Sequence, residues 1–254
     1  MARRRFFSPP ETFAADGSTI DLRKEEAIHL RDVLRLVRGD EVFVFDGEGK
    51  EFRCLVEELG RYNATLGITN EVEPARPESP LMLTIAVALL KGEKLDLVVQ
   101  KVTELGATRI VPIVSKLADV RLRDEADGQK RVLRLRRIAI EACKQSGRAA
   151  SPEIATPIAF EALIDEGSSP GDEWRIMFSE RDGRTLSDAI ESMSASPKAV
   201  TALVGSEGGW TDEELATARS SGWDVITLGG RIMRAETAAI TVTALLQHLF
   251  GDLK

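Results

Sequence analysis

From Leu81 to Phe250, short apolar runs alternate with segments of helical periodicity, and this alternation leaves few possible architectures. Leu81–Ala88 reads as an apolar strand of buried type, and Arg109–Val114, Trp174–Phe178, Ala199–Val204 and Trp223–Leu228 read as further strands. Between them Glu93–Leu105, Gln129–Ser146, Thr185–Met193, Thr211–Ser220 and Ala235–Phe250 carry helical spacing. Gly106 and Gly147 follow two of these helices as stop signals. Thr211, with Glu214 three residues on, forms a capping box at the start of another. Strands joined through helices must run mainly parallel, with helices on both faces of the sheet, so the fold class is α/β.

The first 72 residues read differently. Glu41–Phe45 and Glu51–Glu57 flank the turn Asp46–Gly49 as a hairpin, and Asn63–Thr69 follows as a third strand. Lys24–Leu36 has helical spacing that places Ala27, Leu30, Val33, Leu34 and Val37 on one side. The expectation is a small β-barrel with one helix. Residues 73–80 hold three prolines, which neither helix nor sheet crosses easily. They form a linker between a domain over 1–72 and a domain over 81–254.

The chain has 254 residues, enough to bury a real core. No apolar run approaches the roughly 20 residues needed to span a bilayer. The basic start, Met1 to Phe7, is not followed by the apolar stretch of a secretory signal. Cys54 and Cys143 are far apart and read as free thiols of a reducing compartment, hence a cytoplasmic protein. With His29 and His248 they show no ligand spacing, so no metal site is expected. The formal net charge is −7, yet Lys130–Arg148 holds seven basic residues against Glu141, a local +6. A local basic face, rather than net charge, governs phosphate binding. The bland alternative is a solvated helix face.

Two glycine-rich loops follow successive strands: Gly205-Ser206-Glu207-Gly208-Gly209 and Gly229-Gly230-Arg231-Ile232-Met233-Arg234. Ligands of open α/β sheets bind at the carboxyl ends of strands, where glycine lets backbone come close to a ligand. Neither loop is a P-loop or a Gly-x-Gly-x-x-Gly fingerprint. Neither histidine is placed for a Ser-His-Asp hydrolase.

Other segments extend the pattern: Arg5-Phe6-Phe7, His29-Leu30-Arg31-Asp32-Val33-Leu34-Arg35, Lys91-Gly92-Glu93-Lys94, Gln100–Gly106, Glu141–Arg148 and Leu228–Ala238. In this order, with the first glycine loop, they resemble the SPOUT superfamily. Within it, the chain is similar to the ribosomal RNA small subunit methyltransferase E family. Ser206 stands where that family usually has proline, and Gly230 where a larger residue or proline is common. The resemblance implies a PUA-like RNA-binding β-barrel over 1–72 and, over 81–254, a SPOUT domain with a parallel sheet and a deep trefoil knot. It also implies a homodimer. The implied cofactor is S-adenosyl-L-methionine, the partner 16S rRNA or the small ribosomal subunit, and the reaction N3-methylation of one uridine, 1498 in the family. A ribose 2′-O-methyltransferase of the same superfamily and a non-enzymatic assembly factor remain alternatives.

The expected cofactor contacts are Leu203, Val204, Gly205, Glu207, Gly208, Gly209, Leu228, Gly229, Ile232, Met233, Arg234 and Thr237. The N3 proton of uridine must be removed or the resulting anion stabilised. Arg234, Glu236 and Glu207 are the catalytic candidates, and Glu141 is a further possible acceptor. Arg5, Arg31, Arg35, Lys94, Arg136, Lys144, Gln145, Ser146 and Arg148 are the candidates for RNA contact. The apolar face of the last helix, Ile240, Leu245, Leu246, Leu249 and Phe250, fits either a dimer interface or intramolecular core.

Overall fold

The computed structural model describes residues 3–166 and 173–254. Met1 and Ala2, at the basic start weighed above, lie outside the described residues. The chain divides into two compact units, one of Met1–Glu78 with Ile140–Ser151 and one of Ser79–Ala139 with Pro152–Lys254.

The first unit contains β1 (Arg5–Phe7), β2 (Thr19–Leu22), α1 (Lys24–Ile28), β3 (Glu41–Phe45), β4 (Glu51–Leu59) and β5 (Ala64–Val72). Its sheet has the order β1-β3-β4-β5-β2. Strand β1 runs parallel to β3, and the other pairs are antiparallel. The expected hairpin is present. Asp46 Oδ1 accepts the backbone N–H of Glu48 and of Lys50, which closes the turn. Alternate residues of the strands, among them Phe6, Ile20, Val42, Val44, Cys54, Val56 and Leu66, point into one core. Strands β1 and β2 remain the two edges, so the sheet is a half-barrel rather than a closed one.

The single helix expected over Lys24–Leu36 is broken. Helix α1 ends at Ile28, and His29–Val33 continues as a wider π-turn in which the Leu34 N–H reaches His29 O at 3.0 Å. The wider turn inserts a residue into the helical repeat, so the apolar stripe does not continue. Ala27, Leu30 and Leu36 are buried, while Val33 and Val37 are 67% and 61% exposed.

Residues 140–151 belong to this unit through a buried charge network. Arg5 donates to both carboxylate oxygens of Glu51, at 3.3 and 3.0 Å. It also donates to the carbonyls of Cys143, Lys144 and Arg148, at 2.7, 3.2 and 2.8 Å. A cation thereby satisfies carbonyls at and just beyond a helix C-terminus. Glu51 is fully buried and accepts from Arg3 and the Ala75 N–H as well.

The second unit contains β6 (Met82–Ala88), α2 (Lys94–Glu104), β7 (Arg109–Val114), then α3 (Glu125–Ser146), which it shares with the first unit. It continues with β8 (Glu153–Ile154), β9 (Ile158–Ala159), α4 (Phe160–Asp165), β10 (Glu173–Phe178), β11 (Arg184–Thr185) and α5 (Leu186–Glu191). It ends with β12 (Ala199–Val204), α6 (Asp212–Ser220), β13 (Asp224–Thr227) and α7 (Ala235–Phe250). Every strand pair is parallel, in the order β11-β13-β10-β12-β6-β7-β8, with β9 also on β7.

The apolar runs split by alternation onto two faces. Leu83, Ile85, Val200, Ala202, Ile176 and Phe178 face the core under α2 and α7. Ala86, Leu203, Met177, Val111 and Ile113 face Phe160, Leu163, Leu215 and Trp223. Both faces are covered, which is why the strands read as continuous apolar runs. Phe250 packs edge-on against Trp174, with ring centroids 6.0 Å apart, and Leu246 is core. Ile240 and Leu245 stay half-buried and Leu249 exposed.

Helices α2 and α7 are joined by Gln247, which is fully buried. Its Nε2 donates to Gly106 O at 3.1 Å, and its Oε1 accepts Ser79 Oγ at 2.7 Å. Gln247→Leu removes the hydrogen-bond partner of two partly buried groups, Gly106 O and Ser79 Oγ, so unfolding in denaturant should show a loss of about 1–3 kcal/mol.

Candidate active site

Strands β13, β10 and β12 are neighbours in register, with Phe178 opposite both Val204 and Ile226. Their carboxyl ends therefore stand at one level, and three loops leave there. Residues 179–180, 205–210 and 228–234, with Phe178, Val204, Thr227, Ala235, Ala238 and Val242, line one cavity of about 510 Å³. That is the volume range of small-ligand sites.

The loops are tied together. Trp210 is buried and its indole N–H donates to Phe178 O at 2.9 Å. Arg181 donates to Trp210 O at 3.1 Å, and the Gly183 N–H donates to Thr227 Oγ1 at 3.0 Å. A Cβ on Gly183 would lie 2.5 Å from the Thr227 nitrogen, so no larger residue fits between these segments. In the middle loop the Gly209 N–H closes a tight turn onto Ser206 O at 3.0 Å. Gly209 has φ +67°, and its Cβ position lies 2.7 Å from Glu180 Oε1. Only glycine takes this conformation with the carboxylate in place.

The rim carries paired charges. Lys94 Nζ binds Glu207 Oε1 at 2.6 Å, and Lys91 Nζ binds Asp119 Oδ2 at 2.7 Å. The hydrogen bond from Lys94 holds the Glu207 carboxyl below the usual glutamate range. A carboxylate so held is a weak proton acceptor. Arg234 is exposed at the N-cap of α7. Glu236, in the first turn of α7, has a buried Oε2 without a partner among the described residues. Ser206 Oγ, in the cavity wall, is also buried and unpartnered among the described residues.

Ten of the twelve expected cofactor contacts line the cavity. They are Val204, Gly205, Glu207, Gly208, Gly209, Leu228, Gly229, Ile232, Met233 and Arg234. Leu203 instead points into the core on the opposite face, and Thr237 is exposed on α7 outside the lining. Of the catalytic candidates, Arg234 and Glu207 line the cavity and Glu236 does not. The loop after β10, with Ser179 and Glu180, escaped the sequence reading. Its signal was present, a polar Ser-Glu-Arg-Asp-Gly run directly after an apolar strand, but only the strand order places it beside the glycine loops.

The RNA candidates fall into two groups. Arg31, Arg35, Arg136 and Gln145 reach the surface in whole or in part. Arg5 and Arg148 have side chains only 5% and 6% exposed, and Arg148 binds Glu78. Lys144 is paired with Glu26 and Glu141, Ser146 donates to Ala142 O at 2.8 Å, and Lys94 is the rim partner of Glu207. Glu141, the third possible proton acceptor, belongs to the first unit beside Lys144. Both cysteines are free and buried, and burial raises the Cys54 thiol to about 12 and Cys143 to about 11.

Residues 77–247 match the RNA methyltransferase domain family, and residues 22–69 the RNA methyltransferase PUA domain family. Ribosomal RNA small subunit methyltransferase E of Synechocystis sp. is 31% identical over 98% of this chain and 78% of its own length. The enzyme of that name from Rickettsia conorii is 31% identical, with 92% of both chains covered. The chain belongs to the ribosomal RNA small subunit methyltransferase E family. The crystal structure of the Neisseria gonorrhoeae member bound to S-adenosyl methionine is 32% identical and superposes with a TM-score of 0.87 over all of both chains. A family member of this fold is an α/β methyltransferase with a PUA domain, as the sequence led one to expect.

The rim pair yields a pH test. Because Glu207 titrates below its unfolded value, its pairing stabilises the fold above the ordinary glutamate range and is lost as pH falls through the lowered value. Both side chains are partly exposed, so the effect stays under about 1 kcal/mol. The small melting deficit of Glu207→Gln at neutral pH should begin to shrink as pH falls into the ordinary glutamate range and should vanish only below the lowered value of the paired carboxyl.

Proposed function

We propose that this chain transfers a methyl group from S-adenosyl-L-methionine to N3 of one uridine in 16S rRNA, in the context of the small ribosomal subunit. The observation that carries the proposal is the three-loop cavity, found in a chain whose full-length relatives bear the name of that methyltransferase. The residues present fit the cofactor. The cavity has the volume, two loops offer backbone N–H and C=O groups without side chains in the way, and Ser206 Oγ is an orphaned polar atom that a hydroxyl or amine of the ligand would satisfy.

Bound S-adenosylmethionine supplies the electrophilic methyl group. Residues 205–210 and 228–234 hold it through backbone groups, with Gly209, Gly229 and Gly230 at φ +67°, +69° and +76°. Glu180 brings a carboxylate to the wall, which favours a cationic ligand. On the acceptor, Arg234 is the group to stabilise negative charge as the N3 proton leaves. Glu207 serves as a charge partner of Lys94 rather than as base, since its lowered pKa opposes proton uptake. Glu236, with a carboxylate oxygen that has no partner among the described residues and a place in the first turn of α7 two residues after Arg234, is the remaining acceptor candidate there.

The PUA-like unit contributes RNA contacts, and the division into an RNA-binding part over 1–72, a linker over 73–80 and a methyltransferase part over 81–254 follows the same reading. The family resemblance is what supports a deep trefoil knot in the second unit. Half-buried Ile240 and Leu245 and exposed Leu249 on α7 support a homodimer. The reaction belongs in the cytoplasm, with the ribosome. No helix among the described residues is long and apolar enough to cross a membrane.

Incubation with labelled S-adenosylmethionine and small subunits lacking the modification, followed by digestion to nucleosides, should place the label in 3-methyluridine. Label in a ribose-methylated nucleoside would overturn the position of attack. Absence of transfer with RNA binding intact would favour an assembly factor. Thermal denaturation should show stabilisation by about 2.7 kcal/mol at a cofactor concentration 100 times Kd. Gly209→Ala drives a methyl group into the Glu180 carboxylate and should lower that affinity at least tenfold while the protein stays folded.

A further inference from the structure

The segment after β10 is pinned at nearly every residue. The Ser179 N–H donates to Ile226 O at 2.9 Å, and Ser179 Oγ accepts the Arg181 N–H at 3.2 Å. The Arg181 side chain turns to Trp210 O and to Asp212, the latter at 2.7 Å. Asp182 stands at φ +60°, and its carbonyl accepts from Arg219. A non-glycine residue keeps that backbone conformation only where its surroundings hold it. The Gly183 N–H then closes the segment on Thr227 Oγ1.

Glu180, in the middle of this segment, is the exception. It is exposed, it lines the cavity, and its carboxylate makes no hydrogen bond or ion pair with any described residue. Acids on the neighbouring segments are committed: Glu207 to Lys94, Asp119 to Lys91, Asp212 to Arg181 and Glu213 to Lys116. Arg231 and Arg234, on the loop after β13, line the same cavity without pairing to Glu180. Room for the carboxylate is made by Gly209, whose Cβ position lies 2.7 and 3.2 Å from Glu180 Oε1 and Oε2. An exposed glutamate is ordinary on a convex surface. Here two loops shape a concave site around one that binds nothing in the described protein.

We infer that Glu180 is the residue by which this cavity tells the methyl donor from the spent product: its carboxylate attracts the sulfonium charge of S-adenosylmethionine, which S-adenosylhomocysteine lacks. The inference deepens the cofactor reading of the cavity and rests on it. A sulfonium has three carbon substituents and no N–H or O–H, so a hydrogen bond to the sulfur cannot mark the charge; an electric field can. Backbone groups of the glycine loops cannot make the distinction, because adenine, ribose and amino acid are common to both molecules. Arg231 and Arg234 bring positive charge to the lining, so without Glu180 the local field would favour the neutral product. The consequence is an enzyme less readily held by its own product.

The test is calorimetric titration of the full chain with each ligand separately, for the parent, Glu180→Gln and Glu180→Asp. Unit charges about 4 Å apart in water-like surroundings attract strongly enough to change an affinity about fivefold. Glu180→Gln should therefore weaken S-adenosylmethionine about fivefold and leave S-adenosylhomocysteine within about twofold. Glu180→Asp keeps the charge on a shorter stem and should hold most of the preference. Added salt should weaken the donor relative to the product in the parent and not in Glu180→Gln. Glu180→Gln should melt with the parent, since no described residue loses a partner. Equal weakening of both ligands in Glu180→Gln, or no weakening of either, overturns charge selection and leaves the cavity a cofactor site. A parent that binds neither ligand overturns the cofactor reading, and this inference with it.

Discussion

Three parallel strands that end at one level, side by side, set the terms for the rest of the second unit. Because β13, β10 and β12 are in register, the segments that follow them must leave the sheet together. Each must turn at once toward the helix or strand that follows it. The cavity is the space those turns enclose. The helices on both faces keep the strands flat against their neighbours and leave only the carboxyl edge open to a ligand.

Holding three turns in so small a volume has a chemical consequence. Backbone must approach backbone, as at Gly183 beside Thr227, and a carboxylate must lie against Gly209. Side chains that would fill the cavity are excluded at these points, so recognition passes to main-chain groups and to a few polar atoms such as Ser206 Oγ. Buried anchors keep the loops in place, above all Trp210 hydrogen-bonded to the end of β10. The Lys94–Glu207 charges are already paired, which leaves Glu180, Arg231 and Arg234 as the exposed charges in the cavity lining.

Local pattern revealed most of the elements and less of their arrangement. The capping box at Thr211, the glycines after α2 and α3, and nearly all the long strands are short-range signals, and the structure contains them. Strand order is a long-range property. For that reason the loop at Ser179–Glu180 went unread while the two glycine loops were found. The π-turn after Ile28 shows another limit: Val33 and Val37 continue a helical spacing in the sequence, yet a single wide turn places them in solvent. The basic run of α3 shows a third. Lys144 and Arg148 look like phosphate ligands in sequence, but Glu26 and Glu78, more than sixty residues away, neutralise them within the first unit. Short elements such as β8, β9 and β11 have two residues each, too few for any periodicity to register.

Hydrogen exchange with and without S-adenosylmethionine addresses the central claim most directly, because it reads backbone amides one segment at a time. The account predicts slowed exchange in 179–181, 205–210 and 228–234 together, since one ligand closes all three loops. Protection confined to other segments, or to one of these loops without the other two, would contradict a single cavity built on three adjacent strand ends.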